Sequence, residues 1–394
     1  MKLINFTALT LGILLSITSC NAKNEDEIIH HNKKPNEVED ERWTAPREYI
    51  GTIVEIDKMK LTGDMGVGWN TTNTLETTSR DKTLWGNPEL TEGLIDAVAK
   101  KGFKTLRIPV TWGYNMGDAP DFKIEKKYLE RVEEVVVWAL ENNMYVIINI
   151  HHDDHWLVPS KEKLEAASDQ IGKVWMQIAE YFNKYNEKLI FETINEPREK
   201  GHPKEWSGGD MEGRECINKL HAVALRAIRR SGGNNEKRLV MLAPWGASYA
   251  AIDGFTLPKD DDNILVSLHN YGPYNFALRP QEDEKYIDYD WGTKEDKLEM
   301  NRELDSYYNK FVAKGIPVIV GEWGAMRRDL PTGGNNEDDC IKHASHFATQ
   351  CRERGIVPVV WDFGYIDRHT FKWKRDEVVS KIVEAGNIRK RQLK

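Results

Sequence analysis

Eight short β-rich segments, each followed by a stretch long enough for a crossover, constrain the fold of this chain more than any other feature. The segments are residues 65–70, 105–110, 145–151, 189–195, 238–244, 264–271, 317–323 and 357–362. Several are nearly continuous in Val, Ile and Leu, which is typical of parallel strands covered on both faces. Eight strands that alternate with helices predict an α/β fold, a single (β/α)8 TIM barrel.

The stretches between these segments carry amphipathic helix patterns. They span residues 88–101, 126–141, 168–185, 212–230, 293–314 and 337–354, and a final helix is predicted at 375–385. A doubly wound open sheet is the alternative fold, but it would need a glycine-rich phosphate loop after an early strand, and the sequence has none. We therefore predict one barrel domain at residues 43–394, in which residues 43–61 form a short N-terminal hairpin at the barrel bottom.

The first residues predict export. Residues 1–19 have the basic start and apolar stretch of a secretory signal peptide. Ser19 and Cys20 resemble the end of a bacterial lipobox, which implies cleavage before Cys20 and lipidation of its sulfur; a plain secreted protein is the alternative. Residues 20–42 are too polar to form a core. We expect them to be a flexible tether that links the domain to a lipid anchor at the outer membrane, on the cell surface.

Charge and cysteine content narrow the possible partners. The chain has 55 Lys and Arg and 63 Asp and Glu, a net charge of −8, without a basic cluster. This argues against nucleic acid and anionic headgroups as ligands, so the membrane is contacted only through the N-terminal lipid. Cys216, Cys340 and Cys351 are then expected to be free thiols, since their number is odd and the last two lie too far apart on one predicted helix. We expect a monomer without metal or cofactor.

Polar residues gather where the predicted strands end. They include Arg107, His151, His152, Asn195, Glu196, His269, Tyr271 and Glu322. In a TIM barrel these ends form one mouth, where active sites are built. Tryptophans also fall at or just beyond each strand: Trp69, Trp112, Trp156, Trp206, Trp245, Trp291, Trp323 and Trp361. Because indoles stack on the apolar faces of sugar rings, such a ring of tryptophans predicts a carbohydrate ligand.

Several motifs in barrel order carry a resemblance to a known family. They are Gly66-Val-Gly-Trp-Asn-Thr-Thr-Asn73-Thr-Leu-Glu76, Leu106-Arg107-Ile-Pro-Val-Thr-Trp112, Ile150-His151-His152-Asp153, Phe191-Glu-Thr-Ile-Asn195-Glu196-Pro197-Arg198, His269-Asn-Tyr271-Gly-Pro-Tyr-Asn-Phe276, Val320-Gly321-Glu322-Trp323 and Trp361-Asp362-Phe-Gly364. Together they resemble glycoside hydrolase family 5, the cellulases of family A. Trp85-Gly86-Asn87-Pro88 and Arg214-Glu-Cys-Ile-Asn218 most resemble subfamily 4. Thr72 departs from the family pattern, which usually has Gly there.

The resemblance implies an activity. The chain is expected to be a retaining endo-β-1,4-glucanase that hydrolyses internal bonds of cellulose-like or hydrated plant β-glucans by double displacement. Xyloglucan, mixed-linkage glucan and xylan stay open as alternative substrates, because subfamily 4 includes enzymes for each. A surface lipoprotein that binds glycan without cutting it is the alternative from another class, but such a protein would not need Glu196, Glu322, Arg107 and Tyr271 together.

The resemblance also implies a role for each site residue. Glu322 is the expected nucleophile, and Glu196 is the expected acid/base, which needs a raised pKa before the first step. The supporting residues are Arg107 and Tyr271 beside Glu322, His269 beside Glu196, Asn195 at the sugar 2-hydroxyl, His151, His152 and Asn73 around the same sugar, Trp361 as its stacking floor and Glu76 in the first loop. A cis peptide bond is implied between Trp361 and Asp362.

The run of residues 151–155 offers a different interpretation, a metal site. Three histidines and two aspartates are suitable ligand types. Adjacent strand residues point to opposite faces, however, so His151 and His152 could not both reach one ion without a bend. We therefore expect no metal here.

Overall fold

The structure, a computed structural model, describes residues 48–388 and closes eight parallel strands into one barrel. The strands are β1 (Gly68–Asn70), β2 (Thr105–Ile108), β3 (Tyr145–Asn149), β4 (Leu189–Glu192), β5 (Val240–Leu242), β6 (Ile264–Asn270), β7 (Val318–Trp323) and β8 (Val357–Val360). Each strand pairs with its successor, and β8 pairs with β1. The predicted barrel is confirmed, and every strand lies within the segment predicted for it.

The crossovers between strands are helical, with one exception. Within residues 48–388 the helices are α1 (Lys58–Asp64), α2 (Glu92–Lys101), α3 (Lys126–Glu141), α4 (Leu164–Tyr181), α5 (Met211–Arg230), α6 (Tyr274–Ala277), α7 (Lys294–Lys310), α8 (Glu337–Glu353) and α9 (Asp376–Gly386). Between β5 and β6 the chain makes 3₁₀ turns at Trp245–Ala247 and Tyr249–Gly254 instead. Helix α2 begins after Thr91, whose side chain accepts a hydrogen bond from the Leu94 N–H, and not at residue 88 as predicted.

The barrel bottom is closed by a helix and not by the predicted hairpin. Ile50 forms an isolated bridge with Tyr185, and no second strand pairs with it among residues 48–61. The carboxylate of Asp57 accepts hydrogen bonds from the N–H groups of Met59 and Lys60 and so caps α1. Leu61 on α1 then packs against apolar residues at the bottom of the barrel interior. The hairpin prediction is wrong here because Asp57 caps a helix where the second strand of the hairpin was expected. Residues 43–47 lie outside the described residues.

The barrel interior changes from apolar to polar along the strands. Its lower part is a cluster that includes Ile147, Ile190, Met241, Leu265 and Ile319. Side chains two residues further along a strand face the same interior, one layer higher. Those that form this higher layer are polar and fully buried: Asn70, Arg107, Asn149, Glu192 and Ser267. This polar layer lies directly beneath the mouth at which the strands end.

Other predictions concern the thiols and the N-terminus. Cys216, Cys340 and Cys351 are buried free thiols, as predicted. The predicted signal peptide at residues 1–19, the tether at residues 20–42 and the lipidation site Cys20 lie outside the described residues.

Candidate active site

Arg107, near the upper end of β2, connects the polar layer to the mouth. Its Nη1 donates hydrogen bonds to Oε1 of Glu322 at 2.9 Å and to Oδ1 of Asn70 at 3.0 Å. Its Nη2 donates to Oδ1 of Asn195 at 2.6 Å, and its Nε donates to Oε2 of Glu192 at 2.9 Å. Burial disfavours the charge, but the carboxylates of Glu192 and Glu322 outweigh it and raise the pKa of Arg107. Arg107 is therefore a fixed cation under the site.

Glu322, near the end of β7, is held at both carboxylate oxygens. Arg107 binds Oε1, and the hydroxyl of Tyr271 donates to Oε2 at 3.1 Å. Burial, together with the charge of Glu322, raises the pKa of Tyr271 well above its ordinary value, so its hydroxyl stays a donor. The structure thus brings Arg107 and Tyr271 to Glu322, as predicted. Both oxygens of Glu322 are therefore held in fixed positions at the mouth.

Glu196, which follows β4, lies in a different environment. Its Oε1 is 2.8 Å from Nδ1 of His269, and its Oε2 is 3.5 Å from Nη1 of Arg198. Burial alone would raise the pKa of Glu196, but the hydrogen bond and charge of His269, with Arg198 nearby, outweigh it and lower the pKa. Burial lowers the pKa of His269, but the charges of Glu322 and Glu196 outweigh it and raise that pKa.

The prediction of a raised pKa for Glu196 is therefore wrong. The sequence indicates burial, which does act in that direction, but it does not show that an imidazole lies within hydrogen-bond distance. Glu196 and His269 lie within hydrogen-bond distance, so the charge of each shifts the pKa of the other, and the two directions favour a shared proton on His269.

The two glutamates face each other across the mouth. Glu196, His269 and Glu322 each offer an atom within 4.8 Å of the others, so an oxygen of one carboxylate lies at most 4.8 Å from an oxygen of the other. Retaining glycosidases place their carboxyl groups about 5–5.5 Å apart, whereas inverting enzymes leave about 6.5–9.5 Å for a water molecule. The spacing fits the retaining geometry.

Two cavities meet at Trp361. The catalytic cavity, of about 1010 Å³, contains both glutamates and is also lined by Asn195, Trp206, Tyr249 and Tyr274. The second cavity, of about 430 Å³, is lined among others by Asn73, Asn87, Phe363 and Lys374. Trp361 lines both cavities.

The cellulase profile, glycosyl hydrolase family 5, matches residues 62–367. The chain belongs to this family. It is 38% identical to endoglucanase A of Ruminococcus albus over 369 residues, which cover 89% of this chain and 99% of that protein. It is also 38% identical over 348 residues to the cellulase/esterase CelE of Acetivibrio thermocellus, where the match covers 85% of this chain but only 41% of the relative.

A solved relative extends this similarity to the fold. ZgEngAGH5_4 in complex with a cellotriose is 44% identical and superposes with a TM-score of 0.79 over 84% of this chain and 100% of that one. The family 5 resemblance inferred from the motifs is thus confirmed.

The predicted sugar-orienting histidines lie beside the floor of the catalytic cavity. The ring of His151 stacks on Trp361 with 6.0 Å between centroids, and Nδ1 of His151 is 3.1 Å from Nδ2 of Asn149. His152 lies edge-on to His151 at 4.3 Å and to Trp85 at 5.5 Å. Burial lowers the pKa of His151 well below its ordinary value and that of His152 to about 4. Both imidazoles are therefore neutral hydrogen-bonding groups at physiological pH.

Asn73 and Glu76, in the loop after β1, play different parts. Asn73 lines the second cavity and adopts a left-handed backbone with φ of 56°. The fully buried carboxylate of Glu76 accepts hydrogen bonds from the N–H groups of Asn73 and Thr74 and so holds this turn. Burial raises the pKa of Glu76 to about 7. Glu76 is not among the residues that line either cavity, and its contacts hold the loop that presents Asn73.

The predicted ring of tryptophans around the mouth is largely wrong. Five of the eight indoles are buried in the core: Trp69, Trp112, Trp245, Trp291 and Trp323. Among the predicted eight, Trp206 and Trp361 line the catalytic cavity. Position at a strand end does not fix the side on which an indole packs, because the loop that follows can turn it inward.

Sequence reasoning missed two residues that organise the site, Glu192 and Arg198. Glu192 accepts hydrogen bonds from Arg107 Nε at 2.9 Å and from Asn149 Nδ2 at 2.8 Å, and also from Ser267. The available signal was a charged residue inside an otherwise apolar β-rich segment, which requires a buried partner. Arg198 had no such signal, since its contacts depend on how the loop after β4 folds.

The predicted cis peptide bond at Trp361 is wrong. Within residues 48–388 the cis bonds are Ala119–Pro120 and Gly272–Pro273. Asp362 is held by other contacts: its Oδ1 accepts the N–H of Tyr365 at 2.8 Å, and its Oδ2 accepts Nη2 of Arg368 at 3.0 Å. Trp361 nevertheless lines the catalytic cavity.

The contacts of the side chains at residues 151–155 do not support a metal site there. The carboxylate of Asp153 accepts hydrogen bonds from the backbone of Trp112 and Gly113 at 2.9 and 2.7 Å, while His155 packs against Tyr114. Among the described residues, the group with suitable donor spacing is Glu196, His269 and Glu322. The guanidinium groups of Arg107 and Arg198 already bind these carboxylates, and their charges oppose a cation at that point.

Proposed function

We propose that this family 5 enzyme is a retaining endo-β-1,4-glucanase in which Glu322 is the nucleophile and Glu196 is the acid/base. The observation that carries this proposal is the close pair of carboxylates in opposite environments. Glu322 is bound by a guanidinium and a phenol, whereas Glu196 lies within hydrogen-bond distance of the His269 imidazole. Such divergent environments are how two carboxyl groups take separate acid and nucleophile roles.

In the first step the bond from the anomeric carbon to the leaving oxygen breaks while a bond from that carbon to a Glu322 oxygen forms. Glu196 protonates the leaving oxygen, and the proton comes from its pair with His269. Asn195, whose Oδ1 is fixed by Arg107, binds the 2-hydroxyl of the reacting sugar, and the ring stacks on Trp361. His151, His152 and Asn73 orient the same sugar.

The second step follows from the change in charge. Esterification neutralises Glu322, whose negative charge had helped to raise the pKa of His269. The pair of Glu196 and His269 then binds a proton less strongly, so Glu196 is ready to take one from water. The water oxygen forms a bond to the anomeric carbon, the ester bond breaks, and the configuration is retained.

Cleavage at internal bonds is supported by the two cavities. Because Trp361 lines both cavities, we infer that a glucan chain extends past the reacting sugar in either direction. The acid must face the leaving group, so the arm of the catalytic cavity next to Glu196 takes the leaving chain. The second cavity then takes the other end.

Cellopentaose tests this function directly. We expect new reducing ends that first appear as the β-anomer in proton NMR, with cellobiose and cellotriose as early products. Initial release of the α-anomer would contradict retention, and release of glucose alone would contradict endo action. Rates on carboxymethylcellulose, lichenan, xyloglucan and xylan, measured side by side, would then rank the alternative substrates.

We also propose that the enzyme acts outside the cell, held at the outer membrane by a lipid on Cys20. The signal peptide and lipobox resemblance at residues 1–20 support this. Among residues 48–388, none of the helices combines the length and hydropathy that a membrane crossing requires. A polysaccharide does not cross a membrane unaided, so an endo-acting enzyme is useful where its substrate is.

A further inference from the structure

Arg198 lies between the proposed acid/base and an exposed indole. The residue is 8% exposed. Its Nη1 donates to the backbone carbonyl of Glu196 at 3.1 Å and lies 3.5 Å from its Oε2, and its Nε donates to Oε1 of Glu205 at 3.1 Å. Its guanidinium carbon is 4.4 Å from the centre of the Trp206 ring. One side chain thus contacts both the carboxylate and the indole.

Trp206 is placed to receive a sugar. It is 63% exposed, yet it lines the catalytic cavity together with Glu196. The guanidinium of Arg198 covers one face of the ring, which leaves the other face open. A cation over one face of an indole fixes the orientation of the ring and leaves the opposite face available for stacking. Trp206 therefore has the character of a platform for the leaving-group chain.

We propose that Arg198 is a positioning residue that aligns a leaving-group sugar on Trp206 with the proton donor Glu196. The inference rests on the proposed role of Glu196. Because the guanidinium contacts the Glu196 carboxylate and the Trp206 ring directly, a shift of Arg198 would change the position of both. A leaving sugar seated on Trp206 then presents its glycosidic oxygen to Glu196 in one geometry.

A structural role is the alternative, because Arg198 also ties the loop after β4 to Glu205. Arg214 offers a matched control. It is another arginine of this region, and its Nε anchors the same loop by donating to the Gly208 carbonyl at 2.6 Å. No contact of Arg214 with Glu196 or Trp206 is found among the described residues. A loss shared by Arg198→Gln and Arg214→Gln would therefore reflect the loop alone and would overturn the inference.

The first measurement compares two substrates. Cellotetraose needs a proton on its leaving oxygen and places sugars beyond Glu196, whereas dinitrophenyl β-cellobioside needs neither. For Arg198→Gln we expect kcat/KM on cellotetraose to fall by about tenfold or more, within the range that general acid catalysis contributes, with the dinitrophenyl substrate close to wild type. Equal loss on both substrates would show that Arg198 does not act through the leaving group, and would overturn the inference.

The second measurement is a double-mutant cycle with Trp206→Ala on cellotetraose. If Arg198 acts through Trp206 as well as Glu196, the losses of the two single variants will not add in the double variant. Additive losses would overturn the coupling. Arg198→Lys keeps the charge but not the planar fork, so we expect it to restore the pH profile of kcat/KM but not the coupling to Trp206.

The pH profile separates this role from loop packing. Loss of the positive charge in Arg198→Gln raises the proton affinity of the Glu196 and His269 pair, so the alkaline limb of kcat/KM should move to higher pH. The other charged or titratable groups that face this pair are His152, Arg107 and Glu322, and Arg198 itself also lies 3.9 Å from Asp154 and 3.1 Å from Glu205. The substitution leaves all of these residues in place. Glu196→Gln serves as the reference for the two-substrate comparison. If its loss of kcat/KM is the same on cellotetraose and on the dinitrophenyl substrate, the proposed role of Glu196 is wrong. If its loss differs between the two substrates but that of Arg198→Gln does not, only the inference about Arg198 is overturned.

Discussion

Nδ1 of His269 lies 2.8 Å from Oε1 of Glu196, and this contact lowers the pKa of Glu196 against the effect of burial. The charge of Glu322, together with Glu196, raises the pKa of His269 against the effect of burial. The second carboxylate, Glu322, lies 3.7 Å from the same nitrogen. The imidazole therefore senses both glutamates, and its proton affinity depends on whether Glu322 is charged. The proton inventory of the site belongs to the group and not to one residue.

The contribution of Glu196 and His269 to the free energy of unfolding should depend on pH in a bell-shaped way. The lowered pKa of Glu196 contributes stability that is present above its ordinary value of 4.5 and is lost as pH falls. The raised pKa of His269 contributes stability that is fully present below its ordinary value of 6.5 and is lost as pH rises through the folded value. We therefore expect His269→Asn to lower the free energy of unfolding most between these two pH values, by about 3 kcal/mol, as measured by urea denaturation.

His221 is the matched control for that experiment. It is a buried histidine bound to Thr193 and to the Ala243 carbonyl, and burial lowers its pKa to about 4. Because this pKa is lowered, wild type should lose stability relative to His221→Asn as pH falls from 6.5 towards 4. The contribution of His269, whose pKa is raised, changes in the opposite way, since it is lost as pH rises above 6.5. A flat difference for His269→Asn across pH 4–8 would contradict the assignment of a shared proton.

The roles of the two glutamates are separable by chemical rescue. Glu322→Gln and Glu196→Gln should each reduce turnover of cello-oligosaccharides by orders of magnitude without loss of fold, because each removes half of the double displacement. Azide should rescue the Glu322 variant with an inverted glycosyl azide and the Glu196 variant, on an activated substrate, with a retained one. Circular dichroism controls for folding, and the same inverted product from both variants would refute the assignment.

Glu192 gives a prediction about the support of the site. It accepts hydrogen bonds from Arg107 at 2.9 Å, which in turn binds Glu322, so its charge keeps the guanidinium in place from below. Removing one partner of a buried ion pair costs about 3–5 kcal/mol. Glu192→Gln keeps the shape of the side chain, so it should lower the free energy of unfolding by part of that amount. It should also lower kcat more than it raises KM.

Glu133 offers the comparison for Glu192. It is a buried carboxylate on α3, away from the mouth, that binds Tyr181 at 2.7 Å and Tyr185 at 2.6 Å. Glu133→Gln should reduce stability without a change in kcat. If both variants lose kcat in proportion to stability, Glu192 does not position Arg107 for catalysis.

The contrast between these residues shows what sequence can predict. The eight strands were predictable because parallel strands covered on both faces require nearly continuous apolar residues, as in β3 and β6. The contacts of Arg107 and Tyr271 with Glu322 were predictable because motif order places all three at one mouth. The proton shared by Glu196 and His269 was not, because it depends on an interatomic distance that no spacing specifies.

Burial was the other quantity that the sequence did not decide. Trp245 and Trp206 both follow strands, yet Trp245 is buried, with its Nε1 donating to the Glu205 carbonyl at 2.6 Å, whereas Trp206 faces the cavity. Both belong to the same loop neighbourhood, so only its fold separates a core indole from a ligand platform. The way in which Glu76 supports the site depends on the same kind of detail, since its carboxylate turns back to its own loop.

The last prediction concerns the proposed anchor. A Gly-rich coil of about 25 residues spans roughly 25–30 Å on average, and charged linkers are longer because they repel themselves. The proposed tether at residues 20–42 is charged, so its composition is compatible with a linker of that reach. One acyl chain binds a membrane only reversibly, but a multiply acylated cysteine holds firmly. Cys20→Ala should therefore release active enzyme from the membrane fraction with an unchanged rate on soluble glucan, and protease added to intact cells should cleave the wild type. Cys216→Ala, which alters a buried thiol of the barrel, should stay in the membrane fraction. A Cys20→Ala variant that remains membrane-bound, or a wild type shielded from protease in whole cells, would contradict this location.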